Sequence, residues 1–163
     1  MLSLMIIRAI KETDWPAILR IQNEVYPDIV PESEAVLRSK TKLGPTTCLT
    51  ICDRQNNVAG YCLAHPWTKD PASLHSIYEM PSAPQLLYIH DMAIAPSYAG
   101  KRLGNRTLQY LQSWAKKHGY TTLSLVSLGQ AVSYWQQHGF LHTGLQVDTD
   151  QYGEGASYML KQI

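Results

Sequence analysis

The stretch LLYIHDMAIAPSYAGKRLGN, Leu86 to Asn105, sets an apolar run of strand character directly before a loop carrying Pro96, Gly100, Lys101, Arg102 and Gly104. The run to Ile94 is interrupted by two titratable residues, His90 and Asp91. A charge buried there without partners costs several kcal/mol, so each must find a partner or serve chemistry. Past the loop, Leu103 to His118 presents Leu108, Leu111 and Ala115 on one side of a helix stopped by Gly119, and Thr121 to Leu128 follows as a strand. Strand, helix and strand make a βαβ unit with parallel strands and a right-handed crossover.

Working outward, Leu4 to Ala9 suits a first strand. Thr13 or Asp14 then caps a helix with Pro16 in its first turn and Ile18, Ile21 and Val25 on one face, ended by Tyr26-Pro27. A second helix runs from Pro31-Glu32-Ser33 towards Lys40. Thr46 to Cys52 and Val58 to Ala64 read as a hairpin around the turn formers Asp53 to Asn57. His65 to Gln85, with four prolines, is expected as a long loop whose Asp70 and Glu79 rim a site. Gln130 to His138 forms a short helix ended by Gly139, and Leu141 to Val147 with Ser157 to Leu160 close the sheet. The expected class is α/β (mixed α+β), a mixed sheet with helices on both faces, in one domain spanning residues 1–163.

Composition agrees: 163 residues, 45% hydrophobic and 17% charged, suit a compact domain. A net charge of +1 argues against the broad basic footprint that nucleic acid or an anionic membrane needs, so any anion site is local. The opening MLSLMII is broken at Arg8 and Lys11 and falls short of a membrane span. Cys48, Cys52 and Cys62 are odd in number without CxxC spacing, which reads as reduced thiols and a cytoplasmic location. His65, His75, His138 and His142 lack metal-ligand spacing, and no metal is expected.

At a strand-to-helix junction the first helical N–H groups lack partners and the helix dipole adds partial positive charge, a setting suited to phosphate. Gly100 and Gly104 let an anion approach the backbone, and Lys101 and Arg102 add charge. A Walker loop is excluded, because Ala95 and Arg102 stand where it needs Gly and Ser or Thr, and no GxGxxG string occurs.

Met92-Ala93-Ile94-Ala95-Pro96 followed by Ala99-Gly100-Lys101-Arg102-Leu103-Gly104, and later Ala131-Val132-Ser133-Tyr134-Trp135-Gln136-Gln137-His138-Gly139-Phe140, resemble two motifs of the GNAT superfamily of acetyl-coenzyme A-dependent N-acetyltransferases. The likeness spans essentially the whole chain. It implies a three-layer α/β/α sandwich, its mostly antiparallel sheet holding a central parallel pair that splays apart around acetyl-coenzyme A. Ala99 to Asn105 would bind the diphosphate, and backbone groups of Met92, Ala93 and Ile94 the pantetheine amides. Ala99 replaces the family's Arg or Gln, and Arg102 replaces a glycine. The usual catalytic tyrosine falls on Trp135, leaving Tyr134 as the adjacent hydroxyl.

Acetyl transfer to an amine needs a deprotonated amine, a polarised carbonyl and, optionally, protonation of the leaving thiolate. The Met92 N–H suits the second task. His90 or Asp91 suits the first, directly or through water, with Tyr88 on the same strand as a possible relay. In a regular strand the two point to opposite faces unless a bulge turns one of them. Tyr134 is the candidate acid, although a thiol with a pKa of about 8.5 can leave without one. The acceptor is a small-molecule or peptide amine, the chain a monomer or homodimer. The alternative is a domain that binds acyl-coenzyme A without catalysis, as a sensor or scaffold.

Overall fold

The computed structural model describes residues 4–163, so the first three residues of the MLSLMII segment lie outside it. Strand β1 (Ile6–Ala9) passes through a 3-10 turn into helix α1 (Trp15–Val25), which carries Pro16 in its first turn and buries Trp15, Ile18 and Ile21. Helix α2 (Glu34–Leu43) starts at Ser33, whose hydroxyl accepts the Val36 N–H. Strands β2 (Leu49–Cys52) and β3 (Val58–Trp67) form the expected hairpin, its turn held by the Asp53 carboxylate on the N–H groups of Gln55 and Asn57. There follow β4 (Leu86–Ile94), α3 (Leu103–Lys117), β5 (Thr122–Ser127), α4 (Val132–Gln137), β6 (Leu141–His142), α5 (Thr149–Tyr152) and β7 (Ser157–Gln162).

The strands form one sheet in the order β1-β2-β3-β4-β5-β7-β6, antiparallel throughout except for β4 and β5. Alternation along β3 gives the layers. Tyr61 and Leu63 pack with Trp15, Ile18 and Leu37 of α1 and α2 on one face, while Cys62 and Ala64 pack with Leu108, Leu111 and Ala115 of α3 on the other. This is the mixed three-layer arrangement expected. All three cysteines are buried and free.

Three elements differ from expectation, the first being the short helix α5, started by the Asp148 carboxylate on the Asp150 N–H where no element was expected. β3 continues through Pro66 to Trp67, because beyond Cys62 it no longer pairs with β2 and a proline fits the open edge. The strand expected over Leu141 to Val147 is confined to Leu141–His142, since the left-handed Gly144 (φ 81°) turns the chain away towards α5.

One irregularity positions everything that follows. Leu63 pairs with Asp91 and Ala64 with Ile89, so His90 is an extra residue in β4, a β-bulge. Before it, Leu87 and Ile89 face α3; after it, Met92 and Ile94 take that face and Ala93 turns to α1. The parity of the strand has changed. His90 and its neighbour Asp91 therefore both reach partners on the α1–α2 side. Pairing of β4 with β5 stops at the same place: Leu87–Ile89 match Leu123–Leu125, and beyond Ile89 the strands part.

Candidate active site

The loop from Tyr98 into α3 has two left-handed residues, Gly100 (φ 79°) and Arg102 (φ 59°). Glycine takes this conformation freely, whereas in a side-chain-bearing residue it costs about 1–2 kcal/mol. Arg102 holds the N-cap position without a side-chain cap, and the first intrahelical donor bonded to it is Arg106 N–H. The amides of Leu103, Gly104 and Asn105 therefore form an unsatisfied first turn, with Lys101 and Arg102 exposed beside them. A Cβ at Gly104 would collide with the Tyr134 hydroxyl, so the absence of a side chain here is what lets that hydroxyl rest against the start of α3.

Between the parting strands runs a cavity of about 560 Å³, bounded by the Ala99–Asn105 loop at one end and by the bulge at the other. The volume is that of a cofactor-sized site. Every residue expected at the coenzyme lies on its wall except Ala93. Ala93 is buried towards α1, and its backbone is occupied in the sheet: Ala95 N–H donates to Ala59 O, so by alternation Ala93 also faces β3, while Met92 and Ile94 direct their backbone groups into the gap. Ala93 thus drops out of the set expected at the coenzyme. Trp135 closes the wall from α4, packed edge-on to Phe140 at 5.3 Å between ring centroids.

At the bulge His90, Glu32, Asp91, Tyr61 and Tyr26 come together. The imidazole of His90 is fully buried, its Nε2 2.8 Å from Glu32 Oε1, and its Nδ1 has no partner. Glu32 is held in turn: the Gln22 side-chain amide accepts its N–H and donates to its carbonyl, and the second carboxylate oxygen accepts the His75 N–H at 3.0 Å. Burial pushes Glu32 up, but the hydrogen bonds from His90 and His75 outweigh it, leaving the carboxyl below its ordinary range. Asp91 is half-buried and accepts one hydrogen bond, from Tyr61 Oη at 2.6 Å. With no cation in contact, burial wins and carries its pKa to about 6. The Tyr26 hydroxyl, from the end of α1, donates to Met92 O at 2.9 Å and walls the same junction.

Glu32, Tyr26 and Tyr61 escaped the sequence reading, since each acts on β4 across dozens of residues. Tyr134 sits at the opposite end from Asp91, against Gly104, and burial raises its pKa. Tyr88 is buried against Leu86 and Tyr158 and lines neither cavity. Of the loop expected at the rim, Leu74 reaches the site, whereas Asp70 and Glu79 do not. Among the described residues no group of three or more His, Cys, Asp or Glu side chains could hold a metal, and no helix is long and apolar enough to cross a membrane.

A second, smaller cavity of about 70 Å³ meets the first at Tyr26, His90 and Asp91 and extends under Ile29, Val30 and Leu74. Two openings thus converge on one carboxylate. A long one leads from an anion-ready helix start and a short one from the α1–α2 connection, an arrangement suited to joining two substrates.

Comparison with known proteins agrees with this geometry. Ard1 from Thermoplasma volcanium superposes with a TM-score of 0.77 at 13% identity, over 98% of this chain and 97% of that one. The ribosomal-protein-S18-alanine N-acetyltransferase from Escherichia coli gives 0.70 at 19% identity, over 98% and 94%. N-acetylglutamate synthase from Neisseria gonorrhoeae, complexed with coenzyme A and N-acetyl-glutamate, gives 0.70 at 13% identity over 99% of this chain and 36% of that one. These likenesses are of fold. No curated protein sequence matches the chain. The model of the acetyltransferase (GNAT) family matches residues 15–140, most of the chain, and with the splayed strands and the helix-start loop in place the chain belongs to that family of acyltransferases.

Proposed function

We propose that this protein acetylates a primary amine with acetyl-coenzyme A by direct attack in a ternary complex, with Asp91 as the base. The observation that carries the reading is the wedge opened by the His90 bulge, with uncapped amides and two cations at one end and the Asp91 carboxylate on the wall at the other.

The first-turn amides of Leu103, Gly104 and Asn105 receive the diphosphate. Ala99 and Gly100 give backbone access, and Lys101 and Arg102 supply charge. The Tyr134 hydroxyl, at Gly104, belongs to this end and serves as a further donor to the anion rather than as the acid. Backbone groups of Met92 and Ile94 pair with the pantetheine amides, and Trp135 walls the sulfur-bearing arm. The thioester supplies an activated acyl carbon.

Asp91 is preferred to His90 as base because the His90 side chain is fully enclosed with its Nε2 engaged by Glu32, whereas Asp91 is half-buried and its carboxylate accepts a single hydrogen bond. The acceptor arrives as an ammonium ion, pairs with the carboxylate and passes it one proton. The freed nitrogen lone pair forms the C–N bond, the Met92 N–H meets the charge developing on the acyl oxygen, and the C–S bond breaks to release a thiolate, which takes up the nitrogen's remaining extra proton and so leaves the amide and the free thiol without a protein acid. His90, oriented by Glu32, is a positioning residue that fixes the bulge.

Calorimetry with acetyl-coenzyme A and thiol release with amine acceptors test this. The rate with amine should fall as pH drops through about 6, where Asp91 takes up its proton, and Asp91→Asn should lack that limb. An unaltered limb in the variant would overturn the assignment of the base.

A further inference from the structure

The smaller cavity carries information about the acceptor that the coenzyme wedge does not. Its apolar wall is Ile29, Val30, Leu74, Val126 and Leu128. The polar side chains between them are nearly all occupied: Gln22 clamps the Glu32 backbone, Tyr26 donates to Met92 O, and Tyr152 donates to Ala72 O at 2.7 Å. The least engaged polar side chain lies at the junction: the Asp91 carboxylate, which accepts one hydrogen bond, from Tyr61. The wall carries two carboxylates, Glu32 and Asp91, and its one basic side chain, His90, is hydrogen-bonded to Glu32. Lys40 is close enough to influence Glu32, but its ammonium is turned away onto Ser76 O at 2.7 Å and the face of Tyr78.

We propose that this cavity is the acceptor site and that it selects a short, unbranched primary amine in its cationic form, discriminating against amines that bear a carboxylate. The proposal rests on reading the wedge as the coenzyme site. A pocket of about 70 Å³ with the exposed Val30 at its edge favours a slim, unbranched body over a bulky one. A carboxylate on that body would enter an apolar pocket with two acids on its wall and its one basic group already bonded to Glu32, and desolvation would go uncompensated. The first peptide bond of a polypeptide acceptor would meet the same wall with its N–H and C=O unpaired.

Thiol release from saturating acetyl-coenzyme A, with butylamine, 4-aminobutyrate and alanyl-alanine amide as probes, tests the selection. Butylamine should exceed each of the others by at least about tenfold in kcat/KM. Val30, 73% exposed and on the cavity wall, allows a variant that does not disturb the core. Val30→Arg should narrow the gap between 4-aminobutyrate and butylamine several-fold. An unchanged ratio in that variant, or a wild-type preference for the acid or the peptide, overturns the proposal. Calorimetry of acetyl-coenzyme A separates the two levels: normal binding with the wrong acceptor preference, or with no amine turned over, sinks the acceptor assignment alone. Absence of binding sinks the wedge reading, and this proposal with it.

Discussion

Asp14 and Asp91 are aspartates withdrawn from water and treated in opposite ways. Asp14, 3% exposed, receives both Arg8 guanidinium nitrogens at 2.7 and 3.0 Å, the Lys11 N–H at 2.7 Å and the Thr50 hydroxyl at 2.8 Å. Burial pushes its pKa up, but these donors outweigh it and hold the carboxyl below its ordinary range. Asp91 receives one tyrosine hydroxyl, no cation in contact, and a pKa near 6. The first carboxylate ties β1, the start of α1 and β2 together; the second holds a single donor at the meeting point of two cavities. A fully satisfied carboxylate serves the fold, and an under-satisfied one is available to a substrate.

Asp91→Asn breaks the comparison hardest. Turnover should fall by about 10²–10⁴ if the carboxylate is the base, with acetyl-coenzyme A binding retained. Stability should move the other way. A carboxyl raised from an ordinary 3.8 to about 6 penalises the folded state fully above the higher value and not at all below the lower one. The amide escapes that penalty, and at pH 7 the variant should gain about 1–3 kcal/mol, read as a higher melting temperature. A variant both slower and less stable would show that Asp91 is a structural carboxylate after all.

Asp14→Ala should do the converse. It orphans Arg8, the Lys11 N–H and the Thr50 hydroxyl together, and should lower stability by about 3 kcal/mol in urea unfolding while the folded fraction keeps its kcat. The pH dependence has the opposite sign too. Because the folded-state pKa of Asp14 is depressed, its contribution is present above the ordinary carboxylate value and is lost as pH falls through the folded one. An unchanged urea midpoint would refute the structural role.

Glu32→Gln sharpens the contrast at the intermediate case. Glu32 is satisfied like Asp14 but lies beside Asp91, and its charge is among the causes that raise the Asp91 pKa. Removing that charge while keeping the side chain's shape should reduce kcat/KM for the amine about tenfold and move the acid limb of the rate profile to lower pH. A merely structural glutamate would leave the limb where it is.

What the sequence could reveal follows the range of the forces involved. Local periodicity and turn chemistry were enough for Leu86–Ile94, matched end for end, for the start of α3 at Leu103, and for the Asp53 hairpin. The resemblance over Met92 to Gly104 and Ala131 to Phe140 anticipated the sandwich and the wedge. The bulge could not be read, because His90 is extra with respect to β3, and a mismatch between two strands has no signature in either. Glu32 was visible only as part of a helix start, its bond to His90 spanning 58 residues. Ala93 was placed at the coenzyme because a motif names neighbouring residues together, whereas a strand divides them between its two sides.

The smallest effect concerns Arg102, where family pattern and backbone geometry meet. Its left-handed φ of 59° is what the family's glycine would adopt without strain, so Arg102→Gly should relieve about 1 kcal/mol. It also removes a cation beside the first-turn amides, worth about 0.3–1 kcal/mol to a bound anion and screened by salt. Arg102→Ala separates the two contributions. It deletes the charge and keeps the strained angle, so both variants should weaken acetyl-coenzyme A binding by the same few-fold factor at low salt, converging with the parent as salt rises. Only the glycine variant should gain stability. Equal stability in the two would mean the loop relaxes around Arg102 at no cost; equal affinity of both with the parent would assign the anion to the backbone amides alone.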